Sequence, residues 1–178
     1  MELWPGKDAP LDTAIDETGL AGLVLATRLI GADPSLVLHG GGNSSLKSVR
    51  TDVTGAEIEV LVMKSSGSSM AEASESSFTV LRLDRLRELL PPTVLTDDQF
   101  ANEVRCARLD ADAPDPSLET LVHTALPHAC VLHSHADAIL AITDTPGGEA
   151  RIAAALGPEV LVVDYAMPGV DLAAAMQR

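Results

Sequence analysis

The sequence predicts a layered α/β domain, and three observations predict it. Segments with apolar residues at helical spacing interleave with short continuous apolar runs, the pattern of helices packed on a buried sheet. The chain has 178 residues, and ~150 residues is the usual size of one domain. Hydrophobic residues make up 46% of it, which is ample for a core. The aromatics are only Trp4, Phe78, Phe100 and Tyr165, so that core must be built from Leu, Val and Ala.

Residues 1–10 are polar and contain proline, and are expected to lie loosely on the surface. Residues 11–30 carry Leu20, Leu23, Val24 and Ile30 at helical spacing, with Gly31 and Pro34 as the stop. Val37 and Leu38 are expected to open a short strand running into a Gly/Ser loop at 40–45. The apolar run 58–63 reads as a buried strand, followed by a second small polar loop at 64–69. A strand is expected at 78–81 and a helix at 83–90, which Pro91 and Pro92 stop. Thr96 and Gln99 have the form of a capping box opening a helix to about Arg108. An acidic, Pro-rich loop at 110–116 leads to Ser117, a candidate cap for a helix reaching Leu126. A strand at 129–132 delivers His133 and His135. A helix at 149–156, a strand at 160–163, a turn at Pro168-Gly169 and a helix at 171–177 complete the reading.

Lys and Arg number 12 against 26 Asp and Glu, a net charge of −14. That argues against nucleic-acid and anionic-membrane surfaces, which need clustered cations. Two cysteines, Cys106 and Cys130, do not make a disulfide framework. No cationic start leads into an apolar segment, and no apolar run approaches the ~20 residues of a membrane span. A cytoplasmic protein is the expectation.

Four constellations can carry chemistry. Gly40-Gly41-Gly42-Asn43-Ser44-Ser45 is either a plain turn or a loop that brings backbone amides close to a ligand. It is neither a dinucleotide fingerprint nor a Walker A loop. Lys64-Ser65-Ser66-Gly67 follows a buried strand and is either an ordinary loop or an oxyanion seat. Lys64 as a Schiff-base amine is disfavoured, because nothing near it in sequence suggests desolvation. Local positive charge from Lys47 and Lys64 could draw an anion to these two loops. His133 and His135, two apart on a strand, can face one metal ion or simply end a strand. Asp137 could orient one of these rings or cap the next helix. Glu119 is either a first-turn acid at the positive end of a helix or a general base. His39, His123 and His128 read as structural, with His123 one turn beyond Glu119 and able to pair with it.

In this order, GGGNSSLK at 40–47, VMKSSG at 62–67, PSLETLVHTALPHACVLHSHADAI at 116–139 and DYAMPGVDLA at 164–173 resemble the class II aldolase/adducin family. The resemblance is nearest to aldolase domains of the rhamnulose-1-phosphate aldolase / alcohol dehydrogenase type, and covers nearly the whole chain from Ala14. It implies a three-layer α/β/α sandwich around a mixed, largely antiparallel sheet, in one domain over 1–178. It implies a Zn²⁺-dependent lyase acting on a sugar phosphate or related hydroxy-ketone. Asn43, Ser66 and Gly67 inherit a phosphate-binding role, and Ser117 a further phosphate contact. Leu118 stands where many members have a second Ser. Glu119 matches the catalytic Glu, and His133 and His135 match the first two zinc ligands. The family's third zinc His lies in a segment beyond the helix in which this sequence stops, at Arg178. Zinc is therefore expected to bind weakly or not at all, and turnover to be low. The alternatives are an adducin-like assembly domain without catalysis and an anion-binding domain that uses only the two Gly/Ser loops. A homo-oligomer is expected by resemblance.

Overall fold

The computed structural model describes residues 17–91 and 93–177. In chain order these form α1 (Glu17–Gly31), β1 (Asn43–Thr51), β2 (Glu57–Lys64), β3 (Phe78–Arg82), α2 (Leu83–Glu88), α3 (Asp97–Cys106), α4 (Thr120–Ala125), β4 (Cys130–His133), α5 (Asp137–Thr143), α6 (Gly148–Leu156) and α7 (Val170–Ala175). The strands make one sheet in the order β3-β2-β1-β4, and every pairing in it is antiparallel.

Strand β2 divides the core. Its side chains alternate across the sheet, as a strand period of two demands. Leu61 and Met63 join Leu81 of β3 in a cluster with Leu83, Leu86, Phe100, Val104 and Leu121, from α2, α3 and α4. Val62 points the other way and packs with Phe78 and with Leu23 of α1. Helices therefore cover both faces of the sheet, giving the three layers of an α/β/α sandwich.

Helix α3 starts where Thr96 and Gln99 predict. Gln99 N–H donates to the Thr96 hydroxyl (3.3 Å), and Thr96 N–H donates to Gln99 Oε1 (3.0 Å).

Several expectations shift. Residues 11–16 of the first expected helix lie outside the described residues. Val37 and Leu38 form no strand; the strand is β1, which starts at Asn43 inside the expected loop. Its first residues are polar yet buried, because each hydroxyl has a partner. Ser44 Oγ meets Thr27 Oγ1 of α1 at 2.6 Å, and Ser45 Oγ meets His123 Nδ1 at 2.7 Å. Helix α4 begins at Thr120 rather than Ser117, with residues 117–119 forming the turn that feeds it. Asp137 is the first residue of α5 rather than its cap. The apolar run 160–163 joins no sheet among the described residues, and Leu161 is 90% exposed. A strand needs a neighbouring strand to bond to as well as apolar side chains, and among the described residues this run pairs with none. Among the described residues no helix is long and apolar enough to cross a membrane.

Candidate functional site

The site forms where the start of β1, the end of β4 and two turns converge. The register of the sheet places Asn43 opposite His133. An isolated bridge pairs Ser65 with Pro116, and Ser66 N–H donates to Asp115 C=O at 2.9 Å. These pairings carry the turn after β2 against the segment holding Ser117 and Glu119. One open pocket results, lined by Gly40, Gly41, Gly42, Asn43, Ser65, Ser66, Gly67, Ser117, Leu118, Glu119, His135 and Pro168.

The glycines are what allow the two loops to meet. A Cβ on Gly40 would lie 3.0 Å from Gly67 C=O, so the loops touch backbone to backbone. Gly42 has φ +67°, and a Cβ there would lie 2.7 Å from Met70 Sδ and 2.8 Å from the His133 carbonyl oxygen. Replacing it with alanine is expected to destabilise the chain by about 2 kcal/mol, from left-handed backbone strain alone. A shift of the denaturant midpoint for Gly42→Ala measures this.

Glu119 is the centre of the polar network. Its Oε2 accepts a hydrogen bond from Asn43 Nδ2 and lies 3.0 Å from His133 Nδ1. Asn43 Nδ2 also donates to Ser117 Oγ (3.2 Å), which in turn accepts from Glu119 N–H (3.2 Å). Burial pushes the Glu119 carboxyl up. The hydrogen bond from His133 and its charge, the hydrogen bond from Asn43 and the His123 charge outweigh that, and hold it below the usual carboxylate range. Glu119 is thus held as a carboxylate beside the pocket.

Asn43 is 4% exposed and both its N–H bonds are committed, while its Oδ1 has no partner among the described residues. A buried acceptor without a donor is costly, and a ligand hydroxyl or N–H would relieve it.

The rings of His133 and His135 lie side by side, centroids 4.8 Å apart. His135 lines the pocket, and a Cβ on Gly41 would sit 3.0 Å from its Nδ1. The two imidazoles offer two metal donors. Catalytic zinc takes three protein ligands, and no group of three His, Cys, Asp or Glu converges among the described residues. The residues described do not complete such a site.

The structure therefore brings Asn43, Ser66, Gly67, Ser117, Glu119 and His135 around one pocket, with His133 in contact with Glu119. It moves others. His123 is buried and gives its side chain to Ser45 rather than to Glu119; only its backbone N–H reaches the Glu119 C=O (3.1 Å). Lys47 spends its ammonium on the carbonyls of Leu126 and His128, away from the pocket. Lys64 corrects the reading that nothing desolvates it. It is 1% exposed, and burial lowers its pKa. Its ammonium is nevertheless bonded to the carbonyls of Ser65 and Ser68, and it does not line the pocket.

The chain is similar to known proteins in fold and in sequence. The N-terminal class II aldolase domain of a conserved protein from Thermoplasma acidophilum superposes with a TM-score of 0.83 at 38% identity, covering 99% of this chain and 79% of that one. A Bacillus subtilis (strain 168) protein named uncharacterized oxidoreductase YuxG is 36% identical over 154 residues, which are 86% of this chain and 22% of that protein. The chain thus spans about a fifth of the length of that relative. Residues 21–178 match the family model of the class II aldolase and adducin N-terminal domain, and the chain belongs to that family.

Proposed function

We propose that this domain is an aldolase-type lyase that cleaves a ketose phosphate or related hydroxy-ketone, with Glu119 moving the proton. The observation that carries the reading is the ionised Glu119, pinned by Asn43 and His133 beside a pocket that two Gly/Ser loops build. In retro-aldol cleavage the bond between the carbinol carbon and the carbon next to the ketone breaks. Its electron pair stays on the latter carbon. The carbinol hydroxyl gives up its proton, its carbon becomes the carbonyl of the released aldehyde, and the carbon next to the ketone takes a proton. Glu119 suits this relay, because it is a carboxylate positioned by two donors rather than by solvent. The unpartnered Asn43 Oδ1 suits a hydroxyl of the substrate. Ser66, Gly67 and Ser117 supply the seat for its anionic end.

His133 and His135 are proposed as a divalent-metal pair. Two imidazoles hold an ion less firmly than three, so calorimetric zinc titration should show weak binding that His133→Ala removes. We place the protein in the cytoplasm, in keeping with its two free, exposed cysteines, and expect it to be a homo-oligomer. The deciding test is cleavage of a ketose 1-phosphate by the purified chain, followed by release of aldehyde. Aldehyde release supports the lyase. No release from a chain that binds both zinc and phosphate favours a non-catalytic member of the family, of the adducin kind.

A further inference from the structure

Helix α3 faces the segment that carries Glu119 across a cleft. Phe100 and Val104 anchor the helix in the core. The cleft measures about 210 Å³ and is lined by Phe100, Ala101 and Val104 of α3 and by Pro116, Ser117 and Leu118 of the segment. Where a cleft separates two elements, close packing does not set their spacing, and another contact must.

An ion pair is that contact. Arg105, in the last turn of α3, donates from Nε to Asp115 Oδ1 (3.1 Å) and from Nη2 to Asp115 Oδ2 (3.0 Å). Such a two-point fork fixes direction as well as distance. Arg108 donates to the Ala113 C=O (2.6 Å) and stands 3.5 Å from Asp115 Oδ1. Apart from His133–Glu119, these are the only ion pairs among the described residues that touch residues 115–119. The Arg105 and Asp115 side chains are each about half exposed, and a pair so open to water gives folding little. Its geometry suits placement better than stability.

Asp115 passes that placement on. Its C=O accepts from Ser66 N–H (2.9 Å). Pro116 follows, with φ fixed by its ring and a bridge to Ser65. Ser117 Oγ accepts from Glu119 N–H (3.2 Å), and Ser117 C=O accepts from Thr120 N–H (3.1 Å) and Thr120 Oγ1 (2.6 Å). A shift at Asp115 therefore travels along a stiff turn to the Glu119 carboxylate and its bond to Asn43 Nδ2.

We propose that Arg105 is a positioning residue for Glu119: through Asp115 it sets, from helix α3, where the segment 115–119 stands and so where the carboxylate meets Asn43. The inference rests on Glu119 as the proton-moving group of the proposed function.

The test compares the whole chain as wild type, Arg105→Gln, Arg105→Lys and Asp115→Asn. Three readouts are taken: aldehyde release from a ketose 1-phosphate, the NMR signals of the Asn43 side-chain amide, and denaturant unfolding. Arg105→Gln is expected to lower kcat about tenfold with KM within about twofold, inside the roughly 10²-fold that a misplacement of about 1 Å can cost. It should also shift the Asn43 amide, while the unfolding midpoint stays close to that of the wild type. Arg105→Lys should recover only part of kcat, because an ammonium cannot form the fork. Arg105→Gln combined with Asp115→Asn should cost no more than the worse single change, because the pair acts as one unit. If the wild type releases no aldehyde, the lyase reading falls and the Asn43 amide decides this inference alone: displaced in Arg105→Gln, the inference stands; unmoved, it falls. If kcat and the Asn43 amide are unchanged in Arg105→Gln and Asp115→Asn, the inference falls while the lyase reading stands. If kcat drops only in step with the unfolding midpoint, or neither variant folds, Arg105 is a structural element only and the inference is overturned.

Discussion

Glu119→Gln should lose turnover by roughly 10²- to 10⁴-fold, the range that a positioned acid or base supplies, while melting within a few degrees of the parent. The asymmetry follows from the hydrogen bonds. Asn43 Nδ2 and His133 Nδ1 both face the same oxygen, Oε2. A glutamine carbonyl oxygen placed there keeps both contacts, so the network and the Ser117 turn survive. What is lost is the ability to take up a proton. Phosphate affinity should hold or improve, because the one carboxylate that lines the pocket among the described residues is gone. Steady-state aldehyde release, a thermal melt and a phosphate titration on the same sample separate these effects. Turnover that survives the substitution would remove Glu119 from the proton path. A parallel loss of stability would make it a structural residue.

The parts of the fold legible in the sequence are those where one local signal decides. The apolar run of β2 and the Thr96/Gln99 box both appear where their patterns place them. The start of β1 was not legible, because Ser44 and Ser45 look like loop residues until their hydroxyls are seen paired with Thr27 and His123, 17 and 78 residues away in sequence. The run 160–163 shows the reverse: its apolar pattern suggests a strand, yet among the described residues it has no pairing partner. In the site, residue types were readable and their connections were not. Nothing local says that Gly40 touches Gly67, that the Asn43 amide serves Glu119, or that Lys64 turns inward onto its own loop. The approach of Gly40 to Gly67 depends on β1 and β2 being neighbours, and the Asn43–Glu119 bond on the segment 116–119 being carried against them, relations set by the whole sheet.

Acid should weaken this chain well before its carboxylates protonate, and His123 is the cause. The ring is 1% exposed, and burial drives its pKa from 6.5 to about 4; the charges of His133 and Lys47 push the same way, and only Glu119 opposes them. The folded state therefore keeps His123 neutral where the unfolded chain protonates it. Between about pH 6.5 and 4 the unfolded state binds the extra proton, so stability falls as pH falls through that window. The contribution is complete above pH 6.5, and a displacement of this size corresponds to about 3 kcal/mol. Glu119, with its lowered pKa, adds its own loss only below the ordinary carboxylate value of 4.5. The two processes are thus separable along the pH axis. Denaturant unfolding from pH 7.5 to 4 should show the slope, and His123→Gln, which cannot titrate and can still face Ser45 Oγ, should flatten it above pH 5. The loss should also reach the site, because Ser45 lies two residues beyond Asn43 on β1, and its hydroxyl bond to His123 ties that strand to the helix that follows Glu119. A parent chain whose stability is level from pH 7.5 to 5 would show that His123 titrates normally and that its burial is looser than its 2.7 Å bond to Ser45 implies.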